Sequence, residues 1–128
     1  MIVDSSAVIA IIMAEPGHEK LLAKIRSAAP TAIPSPAMVE TAMVLSSRLG
    51  GDPIALLTEL LTGLDVEIVP FTEEHSFAAM RAFMRFGKGR HPAALNFGDC
   101  LVYAIASSLN QPLLYVGRDF SRTDLISA

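Results

Sequence analysis

The opening stretch Met1-Ile2-Val3-Asp4-Ser5-Ser6-Ala7-Val8-Ile9-Ala10-Ile11-Ile12 decides the fold. An apolar triplet runs into an acid, and two serines later the chain is apolar almost all round. Met1–Val3 reads as a short strand. Ser5–Ala14 reads as a helix hydrophobic on every side, which belongs in an interior. It stops near Pro16-Gly17. A strand that feeds straight into a buried helix is the start of a parallel α/β sheet covered on both faces.

The same unit recurs along the chain. Glu19–Ala28 is an amphipathic helix with Leu21, Leu22 and Ile25 inward and Lys20, Lys24 and Arg26 outward. Thr31–Ile33 is a strand between Pro30 and Pro34. Ser35–Leu49 is a helix with Ser35 as N-cap, Pro36 at its first position and Gly50-Gly51 as its stop. Pro53–Leu64 is a helix capped by Asp52, and Val66–Val69 is a strand. Thr72–Phe86 is a helix with Thr72 as cap, and Gly87–Pro92 is a loop. Asp99–Leu109 is a helix and Pro112–Val116 a strand. The expected architecture is a single domain over residues 1–128, a three-layer α/β sandwich around a central, mainly parallel sheet of four to five short strands.

Composition sets the boundaries. Hydrophobic residues make up 52% and charged residues 18%, with mean hydropathy +0.46. That surplus must be buried on both sheet faces, at a subunit interface, or both. No apolar run reaches the roughly 18 residues of a spanning helix, so no membrane association is expected. No basic segment precedes the first apolar residues, so no signal peptide is expected. The single cysteine, Cys100, excludes an internal disulfide and fits a reducing cytoplasm. The net charge of −3 is unlike a nucleic-acid binder. Setting aside the four acids discussed next leaves nine against ten bases, a near-neutral surface.

In parallel sheets, ligands gather beyond the carboxyl ends of the strands. Asp4 ends the first strand. Glu40 lies one turn into the helix after the second. Asp119 follows the last strand, and Asp99 opens the helix before it. All have apolar neighbours. On a helix, Glu40 is flanked by Pro36, Ala37, Met43 and Val44. An ionised carboxylate there loses hydration. A divalent cation compensates several such acids at once, and hard oxygen ligands favour Mg²⁺ or Mn²⁺ over zinc.

Each acid also has a plain structural reading. Asp4 can cap the first helix, Asp99 can be the third-residue partner of an Asn96 cap, and Asp119 can cap a final turn. No cap role exists mid-helix for Glu40, whose alternative is a salt bridge to Arg118. Four such acids on one parallel sheet favour a metal site. His18, His75 and His91 lack ligand spacing, and Cys100 lacks a base partner. A receiver-type domain would need an acidic pair after the first strand, where Asp4-Ser5-Ser6 stands, and a lysine near Arg118. An Asp-x-Asp phosphatase fails on Ser6. There is no Gly-x-x-x-x-Gly-Lys loop.

Four stretches carry a resemblance: Met-Ile-Val-Asp-Ser-Ser-Ala (1–7), Pro-Ala-Met-Val-Glu (36–40), Leu-Asn-Phe-Gly-Asp-Cys-Leu-Val-Tyr-Ala (95–104) and Leu-Leu-Tyr-Val-Gly-Arg-Asp-Phe-Ser-Arg-Thr-Asp-Leu (113–125). Together they resemble PIN-domain proteins, and more narrowly the VapC toxins of bacterial toxin–antitoxin pairs. The resemblance covers essentially the whole chain. It implies a metal-dependent endoribonuclease that inhibits translation or growth, using one or two Mg²⁺ ions, with Mn²⁺ as a substitute. The family's catalytic and metal-binding acids fall on Asp4, Glu40, Asp99 and Asp119, and its supporting hydroxyl on Ser6. Asp4 and Asp99 are the first choice as direct ligands. In-line attack would leave a 5′-phosphate and a 3′-hydroxyl.

The resemblance also implies a homodimer and a cognate VapB-type antitoxin, which lays an amphipathic segment in an apolar groove and points a basic residue at the acids. Leu45, Leu49, Leu56, Leu57, Leu60 and Leu61 would supply part of such an interface or else pack in the core. One position departs from the pattern: similar proteins often carry Asn or Asp before the last acid, where this chain has Arg118. RNA contact needs cations. Arg81, Arg85 and Lys88 fall at i, i+4 and i+7, one stripe if the helix runs on to Lys88, and Arg90 follows. That stripe and Arg118 would guide RNA, or the stripe is an ordinary solvated face. The rival to a nuclease is a non-catalytic PIN-like module that binds RNA or a partner.

Overall fold

A computed structural model describes all 128 residues. Strands β1 (Ile2–Val3), β2 (Thr31–Pro34), β3 (Val66–Val69) and β4 (Leu113–Leu114) form one sheet in the order β3-β2-β1-β4. Every pairing is parallel, with Ile2 opposite both Ala32 and Leu113. Six helices flank it: α1 (Ser5–Ile12), α2 (His18–Ser27), α3 (Ser35–Arg48), α4 (Pro53–Gly63), α5 (Glu73–Phe86) and α6 (Phe97–Ser108). A one-turn 3₁₀ helix spans Asp119–Arg122. The C-terminal residues add a further parallel rung, Leu113 opposite Ser127. This is the α/β sandwich expected from the alternation of short strands and helices.

Burial explains the layers. Ile2 and Val3 point to opposite faces and both are buried, as are Leu113 and Leu114. The central strands are therefore covered on both sides. At the edge, Glu67 and Ile68 of β3 are exposed. No helix is long and apolar enough to cross a membrane.

Local chemistry sets most helix starts. The Asp52 carboxylate accepts from the Ile54 and Ala55 amides and caps α4. Thr72 and His75 form a reciprocal box at the start of α5. Several details differ from the sequence reading: α1 stops at Ile12 and not Ala14, and the last strand is only Leu113–Leu114, not Pro112–Val116. Ser35 does not cap α3: it is the first helical residue, and its hydroxyl instead accepts from the Phe71 amide at 3.2 Å. Helix α6 opens two residues early, at Phe97, because Asn96 is its cap.

The leucines divide against the interface expectation. Leu45, Leu57 and Leu61 are buried in the core, Leu49 and Leu60 are half-buried, and only Leu56 is exposed. Their helices pack inward at those positions. The exposed apolar surface lies elsewhere, on Val39 and Met43 of α3, Phe77, Met80 and Met84 of α5, and Phe97 of α6.

Candidate active site

The chain steps outward from β1 to β2 to β3, then returns to the far side of β1 for β4. The carboxyl ends of β1 and β4 therefore flank a switch point. Asp4 is the first residue past β1. Its amide still pairs with the Leu114 carbonyl at 2.9 Å, while its side chain, 6% exposed, turns off the sheet edge. Asp4 caps α1: its Oδ2 accepts from the Ser6 amide at 3.0 Å and from the Ser6 hydroxyl. The Ser6 hydroxyl oxygen also accepts from the Val116 amide at 3.0 Å. One serine thus ties the exit of β4 to the first acid.

Asp99 is held by the same device. Its amide donates to Asn96 Oδ1 and its Oδ2 accepts from the Asn96 amide, both at 2.9 Å. The cap readings of Asp4 and Asp99 are therefore real, but each uses only Oδ2. No hydrogen bond is made to Oδ1 of either residue.

Glu40 is placed differently. The Ser5 hydroxyl donates to its Oε2 at 2.7 Å. Gly98 lies against the same carboxylate: a Cβ there would stand 3.3 Å from Oε1. Any larger residue would crowd the acid. The expectation of a desolvated Glu40 is corrected, because its side chain leaves α3 on the open side and is exposed. The salt bridge to Arg118 does not form. Asp119 is the first residue of the 3₁₀ turn; it is exposed and its side chain caps nothing. Gly117, at φ +107°, supplies the left-handed turn that brings the chain there.

The other three acids lie near enough to Asp99 to act on its charge. Burial pushes the Asp99 carboxyl up to about 6, and the charges of Asp119, Asp4 and Glu40 add to the shift. Asp4 is also raised, by burial first and by Glu40 among lesser causes. The three ion pairs of the molecule are His18–Glu19, Arg48–Glu15 and Arg85–Asp124, and none neutralises these acids. The donor set is all hard oxygen; one oxygen each of Asp4, Asp99 and Glu40 and both of Asp119 accept no hydrogen bond, and no protein cation stands opposite. No three of the acids close around one point, which does not suit a zinc cage. The hard-oxygen chemistry of the donors, and not their spacing, is what a divalent cation such as Mg²⁺ accepts, with one or two carboxylates direct and water for the rest.

The proposed cationic stripe is not continuous. Gly87 ends α5, so Lys88 lies in a loop that returns to Leu95, next to the α6 cap. Arg85 is engaged by Asp124 at 2.7 Å and lies over the Phe86 ring. Arg81, Lys88, Arg90 and Arg118 are exposed without an acidic partner. Sequence reasoning missed Ser5 and Gly98. The doubled serine after Asp4 was the available signal for the first; nothing local signals the second.

The family model for the PIN domain matches residues 1–126. Ribonuclease VapC36 of Mycobacterium tuberculosis is 45% identical over 126 residues, spanning 98% of this chain and 91% of that protein. The chain belongs to the VapC ribonucleases of the PIN-domain family. Ribonuclease VapC of Mycolicibacterium smegmatis is 38% identical over 98% of this chain and 97% of its own length. Among solved structures, Mycobacterium tuberculosis VapC20, described as a sarcin–ricin loop cleaving toxin, superposes with TM-score 0.77 at 15% identity, covering 99% of this chain and 97% of that one. A toxin–antitoxin complex from Klebsiella pneumoniae gives 0.73 at 12% identity, over 99% and 95%. At these identities the structures bear on fold, and they share the PIN-like sandwich.

Proposed function

We propose that this VapC-family chain is a cytoplasmic toxin that hydrolyses RNA with one or two Mg²⁺ ions, or Mn²⁺, held by Asp4 and Asp99 directly and by Glu40 and Asp119 directly or through water. One observation carries the reading. Asp4 and Asp99 each anchor one oxygen in a helix cap and leave the other free, in a space that Glu40 and Asp119 make more negative. When bound, the metal eases deprotonation of an attacking water and screens charge building on the phosphate.

The protein's own residues do the positioning. Ser6 fixes the rotamer of Asp4, Ser5 aims Glu40, and the Asn96 cap orients Asp99. The starts of α1 and α6 direct backbone dipoles that favour negative charge towards the site. Arg118 beside Asp119, together with Lys88, Arg90 and Arg81, provides free cations for RNA phosphates. Arg85 leaves that set.

A VapB-type antitoxin is the partner this surface fits. A groove of about 580 Å³ between α3 and α6 is lined by Val39, Met43, Val44, Phe97 and Leu101, with Glu40 on its wall. An amphipathic segment carrying one basic residue matches both the apolar lining and the acid. A second apolar groove of about 820 Å³ between α5 and α6, lined by Met80, Phe83 and Met84, supports a homodimer.

The test is cleavage of labelled RNA by the purified chain. Cleavage is expected with Mg²⁺ or Mn²⁺, is lost in chelator, and is lost in Asp4→Asn and Asp99→Asn. Cleavage that survives both substitutions would come from another nuclease and would overturn the site. An intact metal-binding chain without cleavage would favour the non-catalytic module.

A further inference from the structure

Asp119 makes no hydrogen bond through its side chain and sits on a single 3₁₀ turn, so its position depends on what holds the two ends of that turn. Upstream, the Val116 amide is bound to Ser6; within the turn the buried Phe120 ring meets Tyr115 edge-on at 5.2 Å. Downstream stands Asp124, with both carboxylate oxygens engaged. The Tyr103 hydroxyl donates to Oδ1 at 2.6 Å, and Arg85 Nη1 donates to Oδ2 at 2.7 Å. The Phe86 ring braces both donors, 4.5 Å from the guanidinium and 5.5 Å from the Tyr103 ring. Tyr103 is buried on α6, one helical turn after Asp99.

We infer that Tyr103, Asp124 and Arg85 form a clamp that positions Asp119 by pinning the far end of its turn to α5 and α6. This rests on the metal-dependent reading of the four acids. Helix α6 then sets two acids at once: Asp99 from its own cap, and Asp119 through Tyr103 and Asp124. The charge states suit a permanent clamp. Burial and the neighbouring Asp124 push the Tyr103 hydroxyl up to about 12, so it stays a donor. The Tyr103 hydrogen bond, ahead of Arg85, lowers the Asp124 carboxyl, so it stays an acceptor. These three are positioning residues; none reaches the reacting atoms.

The test compares Tyr103→Phe, Asp124→Asn and Arg85→Gln, each checked by thermal melting for an intact fold. Faster amide hydrogen exchange is expected at Ser121 and Thr123, whose amides bond to Arg118 and Phe120 carbonyls within the turn. RNA cleavage should fall about tenfold, with more metal needed for half-maximal rate, as for other outer-shell partners of metal ligands. In an Asp119→Asn background the same substitutions should cause no further fall. Unchanged exchange in folded variants, or an equal fall in that background, would overturn the clamp. If the unsubstituted chain cleaves nothing with any divalent metal, the reading of the acids fails, and the exchange data still decide whether the turn is clamped.

Discussion

Asp4 and Asp99 differ from Glu40 and Asp119 in how they are held. The first pair sits at helix starts, and each residue bonds backbone amides within three positions of itself. The second pair serves no cap. Glu40 is aimed by Ser5, which is 35 residues away, and Asp119 rides on a turn fixed by residues of α5 and α6. Half of this site is therefore built by local backbone chemistry and half by tertiary contacts. The inner pair should be insensitive to distant substitutions and intolerant of change in itself. The outer pair should be adjustable from a distance.

The largest effect should come from Asp4→Asn or Asp99→Asn. Asparagine caps α1 about as well as Asp4 does, and at position 99 its amide oxygen can still accept from the Asn96 amide, so the melting temperature should not fall. The rate of RNA cleavage should fall by about a hundred- to a thousandfold, the scale of losing a group that stabilises transition-state charge. Unfolding of these variants would show that the acids are structural first. Glu40→Gln and Asp119→Asn should lower the rate by about ten- to a hundredfold with no loss of stability. A larger fall than at Asp4 would invert the comparison.

The two serines sharpen it further. Ser6→Ala removes a donor from Asp4 and an acceptor from Val116, so it should cost about 1–2 kcal/mol in denaturant melts as well as activity. Ser5→Ala frees only Glu40 and should slow cleavage by about tenfold, the low end of the range for such partners, with a smaller change in stability. Equal effects would mean that Glu40 is anchored as tightly as Asp4.

The smallest effect is on stability against pH without metal. The folded-state carboxyl of Asp99 stands near 6 against an ordinary 3.8. The folded chain therefore binds this proton more tightly than the unfolded chain does. Its contribution is fully present below about pH 4 and is lost as pH rises through about 6. Asp4 shifts in the same direction. Solvent screening at the half-exposed Asp99 limits the loss to about 1 kcal/mol. Asp99→Asn should flatten that slope, and saturating Mg²⁺ should reduce it. A slope unchanged by Asp99→Asn would assign the pH dependence to other groups.

What the sequence made legible follows the same division. Cap motifs such as Asp52, Thr72 and Asn96-x-x-Asp99 act within one turn, so they can be read without coordinates. Glu40 looked desolvated because its helical neighbours are apolar, yet it is exposed, since the direction a helix face points is set by its partners. Arg85 looked available to RNA because Asp124 lies 39 residues away. Lys88 leaves the stripe because α5 stops at Phe86 with Gly87 as its cap, the loop start that the glycine itself marks in the sequence.

The sequence alone determined the alternation of short apolar strands with helices, the parallel sheet and the two acids tied to their own helix caps. These rest on periodicity and on hydrogen bonds spanning a few residues. Only the tertiary structure decided that Ser5 meets Glu40, that Gly98 makes room for it, that the Leu45, Leu57 and Leu61 side chains are core, and that Tyr103 and Arg85 hold the segment carrying Asp119. Those contacts join residues far apart in the chain. Their partners are chosen by the packing of whole helices, which no local pattern of residues records.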